Sequence, residues 1–340
     1  MLAVVHVSRV VSGASVALLV YAGACAPAPR APLASGTRCE RACAATNERE
    51  GAICHACRCK EALGGLPPPE TITCARGAEI PIYRLEDGRV VETKENGVTC
   101  KNPALIELMP AEQACTPGSR LGQVVTETAI FRFICRRAAD GAAYDDLGVI
   151  GHNPKTGATC FWTAIDEKRT DGVIPALDVT DGDETKLDAL GRSLQLAYEG
   201  DRCVTCHDGD PFLYTPHLEG AWRWDTDVYR FGPYKQVRIA GPPTPIPHRH
   251  LVSHEASACT TCHRIADGRT CDTYVPSSAG AIDESLPYQP ELRRSRALAR
   301  WMPHPPATWG PAQDAAVAHI QTCCASPDAP SCRWAPIPSE

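Results

Sequence analysis

Two five-residue segments in the second half of the chain carry chemistry by their residue types and spacing: Cys203-Val204-Thr205-Cys206-His207 and Cys259-Thr260-Thr261-Cys262-His263. Two thiols three residues apart can add across the two vinyl groups of a haem, and the histidine that follows can bind the iron from one side. From the cysteine and histidine content, on the order of 0.03 such segments arise by chance in a chain this long, so two carry weight. The competing arrangement closes each cysteine pair as a disulfide beside an incidental histidine. That arrangement explains neither the repeated spacing nor the histidine at the same place twice. The expected anchors are therefore Cys203, Cys206, Cys259 and Cys262, the expected first axial ligands are His207 and His263, and the expected cofactors are two c-type haems.

A second axial ligand must be histidine or methionine. Outside the first residues the pool is His55, His152, His217, His248, His250, His254, His304, His319, Met109 and Met302. For the first site a histidine is expected, with His254, His248, His250 and His217 as candidates. His217 follows the first motif within Pro211-Phe212-Leu213-Tyr214-Thr215-Pro216-His217. His152 falls in a turn and reads as a surface or hydrogen-bonding histidine rather than a ligand. Saturated iron at both sites suits electron transfer, because no bond is made or broken on reduction. An empty axial position would instead let small molecules reach the iron.

The stretch from Cys259 through Trp301-Met302-Pro303 to a helix starting near Pro311 resembles the class I cytochromes c. In that family the haem motif is followed by a Met-Pro and then by a helix packed on the haem edge. The resemblance covers about 259–325 and implies Met302 as the second ligand of the second iron. Cys271, Cys323 and Cys324 depart from the family pattern. The chain also resembles bacterial di-haem cytochrome c peroxidases in carrying two motifs, but in that family they lie much further apart on separate domains. The expectation is a di-haem electron carrier that meets a redox partner protein. A peroxidase-like enzyme and a haem-containing binding or sensor lipoprotein are the alternatives. There is no Gly-rich phosphate loop, Gly-x-Ser-x-Gly or His-Glu-x-x-His to suggest other catalysis.

Around these motifs the chain reads as α+β: a small disulfide-rich N-terminal module, a β-rich middle, and a mostly helical, loop-rich haem-binding C-terminal region. Residues 37–75 hold Cys39, Cys43, Cys54, Cys57, Cys59 and Cys74, too short a segment to bury a core without staples. A zinc site from Cys54, His55, Cys57 and Cys59 is the sharper reading of that cluster, disfavoured in an oxidising compartment. Residues 76–180 alternate in β fashion. Ala129, Phe131, Phe133 and Cys135 share a face, and Asp87-Gly88 and Asn96-Gly97 signal hairpins. Cys100, Cys115, Cys135 and Cys160 are expected to form two disulfides among themselves. From 181 to 340, helices are expected after Asp181-Gly182-Asp183-Glu184 (with Leu187 and Leu190 on its apolar side), over 291–301 and from Pro311. An extended connector covers 241–247.

The nineteen cysteines ask for an oxidising compartment. Residues 1–24 read as a signal peptide: an early positive charge, the apolar Val16–Tyr21, and small residues before Cys25. Ala22-Gly23-Ala24-Cys25 resembles a bacterial lipoprotein box, which implies a lipid on Cys25 and a membrane anchor. Ordinary cleavage near Ala24 is the alternative. Residues 25–36 form a Pro/Ala-rich tether. The expected location is extracytoplasmic, in the periplasm or at the outer membrane. Four haem cysteines and Cys25 leave fourteen others, an even number that allows complete pairing. A net charge of -6 gives no basic footprint for nucleic acid.

Overall fold

The computed structural model describes residues 36–80, 82–86, 89–93, 117–137, 143–169, 172–190, 201–212, 232–275 and 310–340. The signal peptide, Cys25, the tether, Cys100, Cys115, the Asn96-Gly97 turn, His217, the 291–301 helix and Met302 lie outside the described residues. The protein is α+β. Two N-terminal helices cover one face of a seven-stranded mixed sheet, and the two Cys-x-x-Cys-His motifs follow in a loop-rich region with short helices.

Helix α1 (Arg38–Ala44) starts at Thr37, whose hydroxyl accepts from the Glu40 amide while Glu40 reaches back to the Thr37 amide. Each contact satisfies an amide that the first helical turn leaves without a partner. Helix α2 (Glu48–Leu63) starts likewise at Asn47, which accepts from the Glu50 amide at 2.9 Å. Cys39 and Cys43 lie one turn apart on α1, Cys54 and Cys57 nearly one turn apart on α2, and the two helices are joined as Cys39–Cys57 and Cys43–Cys54.

Strands β1 (Ala78–Glu79), β4 (Arg120–Val125), β5 (Ile130–Arg137), β6 (Tyr144–His152) and β7 (Ala158–Arg169) form the antiparallel part of the sheet. Between them, β2 (Ile82–Glu86) and β3 (Arg89–Thr93) form a separate hairpin. Strand β8 (Lys235–Gln236) then pairs parallel to β7, and β9 (Thr244–Pro245) closes the edge. One sheet face carries Ala129, Phe131, Phe133, Cys135, Leu147, Val149, Cys160 and Trp162, and packs on α2 and on Leu187 and Leu190 of α3 (184–190). The other face carries Ile130, Arg132, Ile150, His152 and Phe161, which the register places in two adjacent cross-strand rows.

The disulfide map corrects the sequence expectation. Cys59 pairs with Cys160 and Cys74 with Cys135, so the N-terminal cysteines are not a closed set and Cys135 and Cys160 do not pair within the β region. The physical reason is shared burial: α2 lies on the sheet face that carries Cys135 and Cys160, so all four sulfurs belong to one core. These bridges cross the boundary expected at 75, and β8 and β9 cross the one expected at 180. The 241–247 connector is partly strand, since Thr244 and Pro245 belong to β9. Of the two alternatives for His152, surface or hydrogen-bonding, the structure shows the second. The residue ends β6 at 3% exposure, its Nδ1 2.9 Å from the Thr159 hydroxyl.

The C-terminal part holds α4 (Asp201–Cys206), the β10 (Arg249–Leu251) and β11 (Trp334–Pro336) ribbon, α5 (Ser257–Thr260) and α6 (Pro311–Ala325). Pro311 sits at the first helical position, where its missing N–H costs nothing. The cysteines that depart from the class I pattern have a structural role. Cys271–Cys324 and Cys323–Cys332 staple α6 to the segment after the second motif and to the chain that enters β11. The six disulfides seen among the described residues belong to an oxidising, extracytoplasmic setting. Among the described residues, no helix is long and apolar enough to cross a membrane.

Candidate functional site

The two motifs take up the same backbone turn. The His207 amide donates to the Cys203 carbonyl at 2.9 Å, and the His263 amide donates to the Cys259 carbonyl at 3.0 Å. One helical turn therefore brings the second thiol and the histidine back over the first. The described cysteines divide cleanly. Twelve are in disulfides, and the remaining four are Cys203, Cys206, Cys259 and Cys262. In a chain that pairs cysteines so thoroughly, both motifs keep thiols, as covalent attachment requires. Burial, with Cys206 adding to it, pushes the Cys203 thiol up to about 11, and burial also raises Cys259. Both stay protonated at neutral pH and are poor nucleophiles for disulfide exchange.

Each motif has its own apolar cluster. Cys203 and Val204 pack with Phe161, Tyr234, Ile246, Ala266, Ile337 and Ile150. Cys259 packs with Leu251, Ala256, Ile265, Ala316, Ile320 and Cys323, so α6 lies against the second motif. The imidazole of His207 stands 5.7 Å from the Phe161 ring, on the sheet face opposite α2. Its Nδ1 is sealed from water and has no well-formed hydrogen bond. Burial lowers His207 to about 4; the Pro211 backbone opposes the shift and Arg136 adds to it. A neutral imidazole is the form that binds iron. Tyr234, fully buried, donates its hydroxyl to the His207 carbonyl at 2.8 Å and fixes the end of the motif.

The segments after the two histidines interlock. Asp208, fully buried, accepts from the Thr270 amide at 2.9 Å and from its hydroxyl at 2.5 Å. Arg264, whose side chain is 0% exposed, donates to the carbonyls of Gly209 at 3.1 Å and Gly232 at 2.9 Å and pairs with Asp210 at 3.2 Å. Thus the residue after each histidine is bound into the other motif's tail. Gly209 permits this approach, since a Cβ there would stand 2.7 Å from the Arg264 carbonyl oxygen. With this contact and the reach of the intervening chain, the His207 and His263 Cα atoms are less than about 18 Å apart. Although a quarter of the Asp210 side chain is exposed, burial pushes its carboxyl up to about 7, with Arg264 working against the shift.

The structure therefore brings Cys203, Cys206, His207, Cys259, Cys262 and His263 into two linked sites. His254 is exposed in the turn that leads into α5. His55 is fully buried beside the Cys59–Cys160 bridge, with its ring edge toward Trp162. Cys54, Cys57 and Cys59 are all in disulfides, which rules out the zinc reading. His319 lies against Cys323, itself disulfide-bonded. Sequence reasoning missed Asp208, Asp210, Arg264 and Phe161. The position of Asp208 and Arg264 directly after the histidines was the one available signal, but charged residues beside a motif are usually solvated. No known family matches the chain, and neither curated proteins nor solved structures show significant similarity to it.

Proposed function

We propose that the protein is an extracytoplasmic c-type cytochrome with two covalently attached haems, which passes electrons to a redox partner protein. The observation that carries this reading is the division of the cysteines: both Cys-x-x-Cys-His motifs keep their thiols while every other described cysteine is bridged. Cys203 and Cys206 would hold one haem and Cys259 and Cys262 the other, with His207 and His263 as axial ligands. Bound iron supplies a one-electron couple at each motif. The chain's part is to exclude water from His207 with Phe161 and Tyr234, and to fix the spacing of the motifs through Asp208 and Arg264. Two sites this close form a short relay.

For the second iron, the class I resemblance assigns Met302 as the sixth ligand. A lipid on Cys25 would hold the protein at a membrane, with the Pro/Ala-rich segment as the tether. The test is production in a host that matures c-type cytochromes, followed by intact-mass measurement and a haem stain. Two added haem masses are expected, and Cys203→Ser/Cys206→Ser and Cys259→Ser/Cys262→Ser each remove one. A chain of unmodified mass, with the four motif sulfurs joined to one another, overturns the reading.

A further inference from the structure

The β10–β11 ribbon stands between the two motif clusters, and its faces serve different motifs. Register pairs Leu251 with Trp334, His250 with Ala335 and Arg249 with Pro336, and side chains alternate faces along each strand. Leu251 and Trp334 enter the second motif's cluster. The opposite face carries His250 and Ala335, and Ile337, next in that alternation, packs in the first motif's cluster. His250 is also bridged to Ala266, a fully buried member of that same first cluster. Although His250 shortly precedes Cys259 in sequence, the ribbon turns it toward the first motif.

His250 also has the right state for a ligand. It is half-buried, and among the described residues neither ring nitrogen is engaged in a hydrogen bond. Its neighbours on that face, Ala335 and Ala266, each present a single methyl group. The other described histidines are placed differently. His248 binds Asp267 through Nδ1 at 3.2 Å and its ring stands against Gly268, beyond Ala266 on the second motif's tail. His152 is anchored to Thr159 and packs edge-on against Phe212, next to the Pro211 that influences His207. His152 thus stands with the segment that directly follows His207. His254 is exposed on the chain entering the second motif.

We propose that His250 is the sixth ligand of the iron at the first motif, so that this site is bis-histidine. The proposal rests on the two-haem reading above. With methionine at the second iron, the first site then has the lower potential of the two, because thioether ligation raises the potential relative to imidazole.

The test is His250→Ala in the full, haem-loaded protein, read by intact mass together with electron paramagnetic resonance and magnetic circular dichroism. Both haem masses are expected to remain while half of the low-spin signal becomes high-spin, and added imidazole is expected to restore it. His250→Met keeps the iron six-coordinate and raises the lower of the two potentials. His248→Ala and His254→Ala leave both sites low-spin. A His250→Ala spectrum like that of the unmodified protein, or the same loss of low-spin signal from His248→Ala or His254→Ala instead, overturns the assignment. Failure of the unmodified chain to carry two haem masses is a separate result, and it overturns the parent reading.

Discussion

Replacing Arg264 with methionine tests the interlock that joins the two motifs. Methionine keeps much of the length and apolar stem of arginine and removes the charge and the donors. The guanidinium is wholly buried and serves three acceptors, the Gly209 and Gly232 carbonyls and Asp210. Its loss removes the counter-charge that keeps Asp210 ionised, so the carboxyl must be protonated or stay buried as an unpaired ion, and it leaves two carbonyls each short of a donor. Breaking a buried ion pair by removing one partner costs roughly 3–5 kcal/mol. Asp210 is 25% exposed, so water can replace part of what is lost. That puts Arg264→Met near the lower end, about 3 kcal/mol.

A double-mutant cycle separates the pair from general damage. Asp210→Asn removes the carboxylate's charge, so Arg264→Met made on top of it no longer leaves an orphaned ion. The double variant is expected to be more stable than the sum of the two single losses implies, by about 1–3 kcal/mol. Guanidinium unfolding of the haem-loaded protein, followed by tryptophan fluorescence and far-ultraviolet circular dichroism, gives all four values. A loss below about 1 kcal/mol for Arg264→Met, or strict additivity in the cycle, would refute the claim that this arginine clamps the motifs together.

Three further outcomes follow from the fold. His55 is fully buried and burial holds it down at about 4, so the folded chain refuses a proton that the unfolded chain accepts near 6.5. Its share of stability is present above 6.5 and lost as pH falls toward 4, by about 3 kcal/mol, and unfolding measured at pH 7 and pH 4 should show His55→Phe losing that much less on acidification. Cys59–Cys160 spans 101 residues, but the Cys74–Cys135 bridge inside it shortens the chain path. With a shortened path of about 40 residues, the Cys59→Ala/Cys160→Ala variant should lose about 4 kcal/mol, and a midpoint unchanged in denaturant would contradict the bridge. Thr270→Val keeps the shape and removes the hydroxyl that donates to buried Asp208 at 2.5 Å. A loss of about 2 kcal/mol is expected in the same assay, and a neutral substitution would mean that the Thr270 amide suffices.

What could be read from the chain without coordinates was governed by locality. Cys203 to His207 and Cys259 to His263 are each one turn of backbone, so spacing alone declares them. The same holds for the alternation of Ala129, Phe131, Phe133 and Cys135 and for the start of α6 at Pro311. The disulfide pairs were not legible, because Cys59–Cys160 and Cys74–Cys135 depend on which sheet face α2 covers. His152 shows the same limit. Its turn-like neighbours Asn153, Pro154 and Gly157 left a surface position open, whereas the ring is buried and meets Phe212, far along the chain, at 5.9 Å.

The region between the N-terminal cysteines and residue 180 carries no motif for the proposed electron transfer, but under that proposal the sheet has a part in it. A motif of five residues can attach a haem, but it cannot by itself dry the imidazole or hold a second site beside it. With aromatic residues at only 6% of the chain, apolar walls are scarce, and a rigid surface must come from elsewhere. The sheet is pinned on one face by Cys59–Cys160 and Cys74–Cys135, and on its opposite face it sets Phe161 against His207. These two staples lie on the far side of the sheet from the first motif, apart from Cys203 and Cys206, the sulfurs proposed to take the vinyl groups. At the second motif no sheet intervenes: Cys259 shares its cluster with Cys271, Cys323, Cys324 and Cys332, and there the sulfurs are kept apart because those four are already paired with one another.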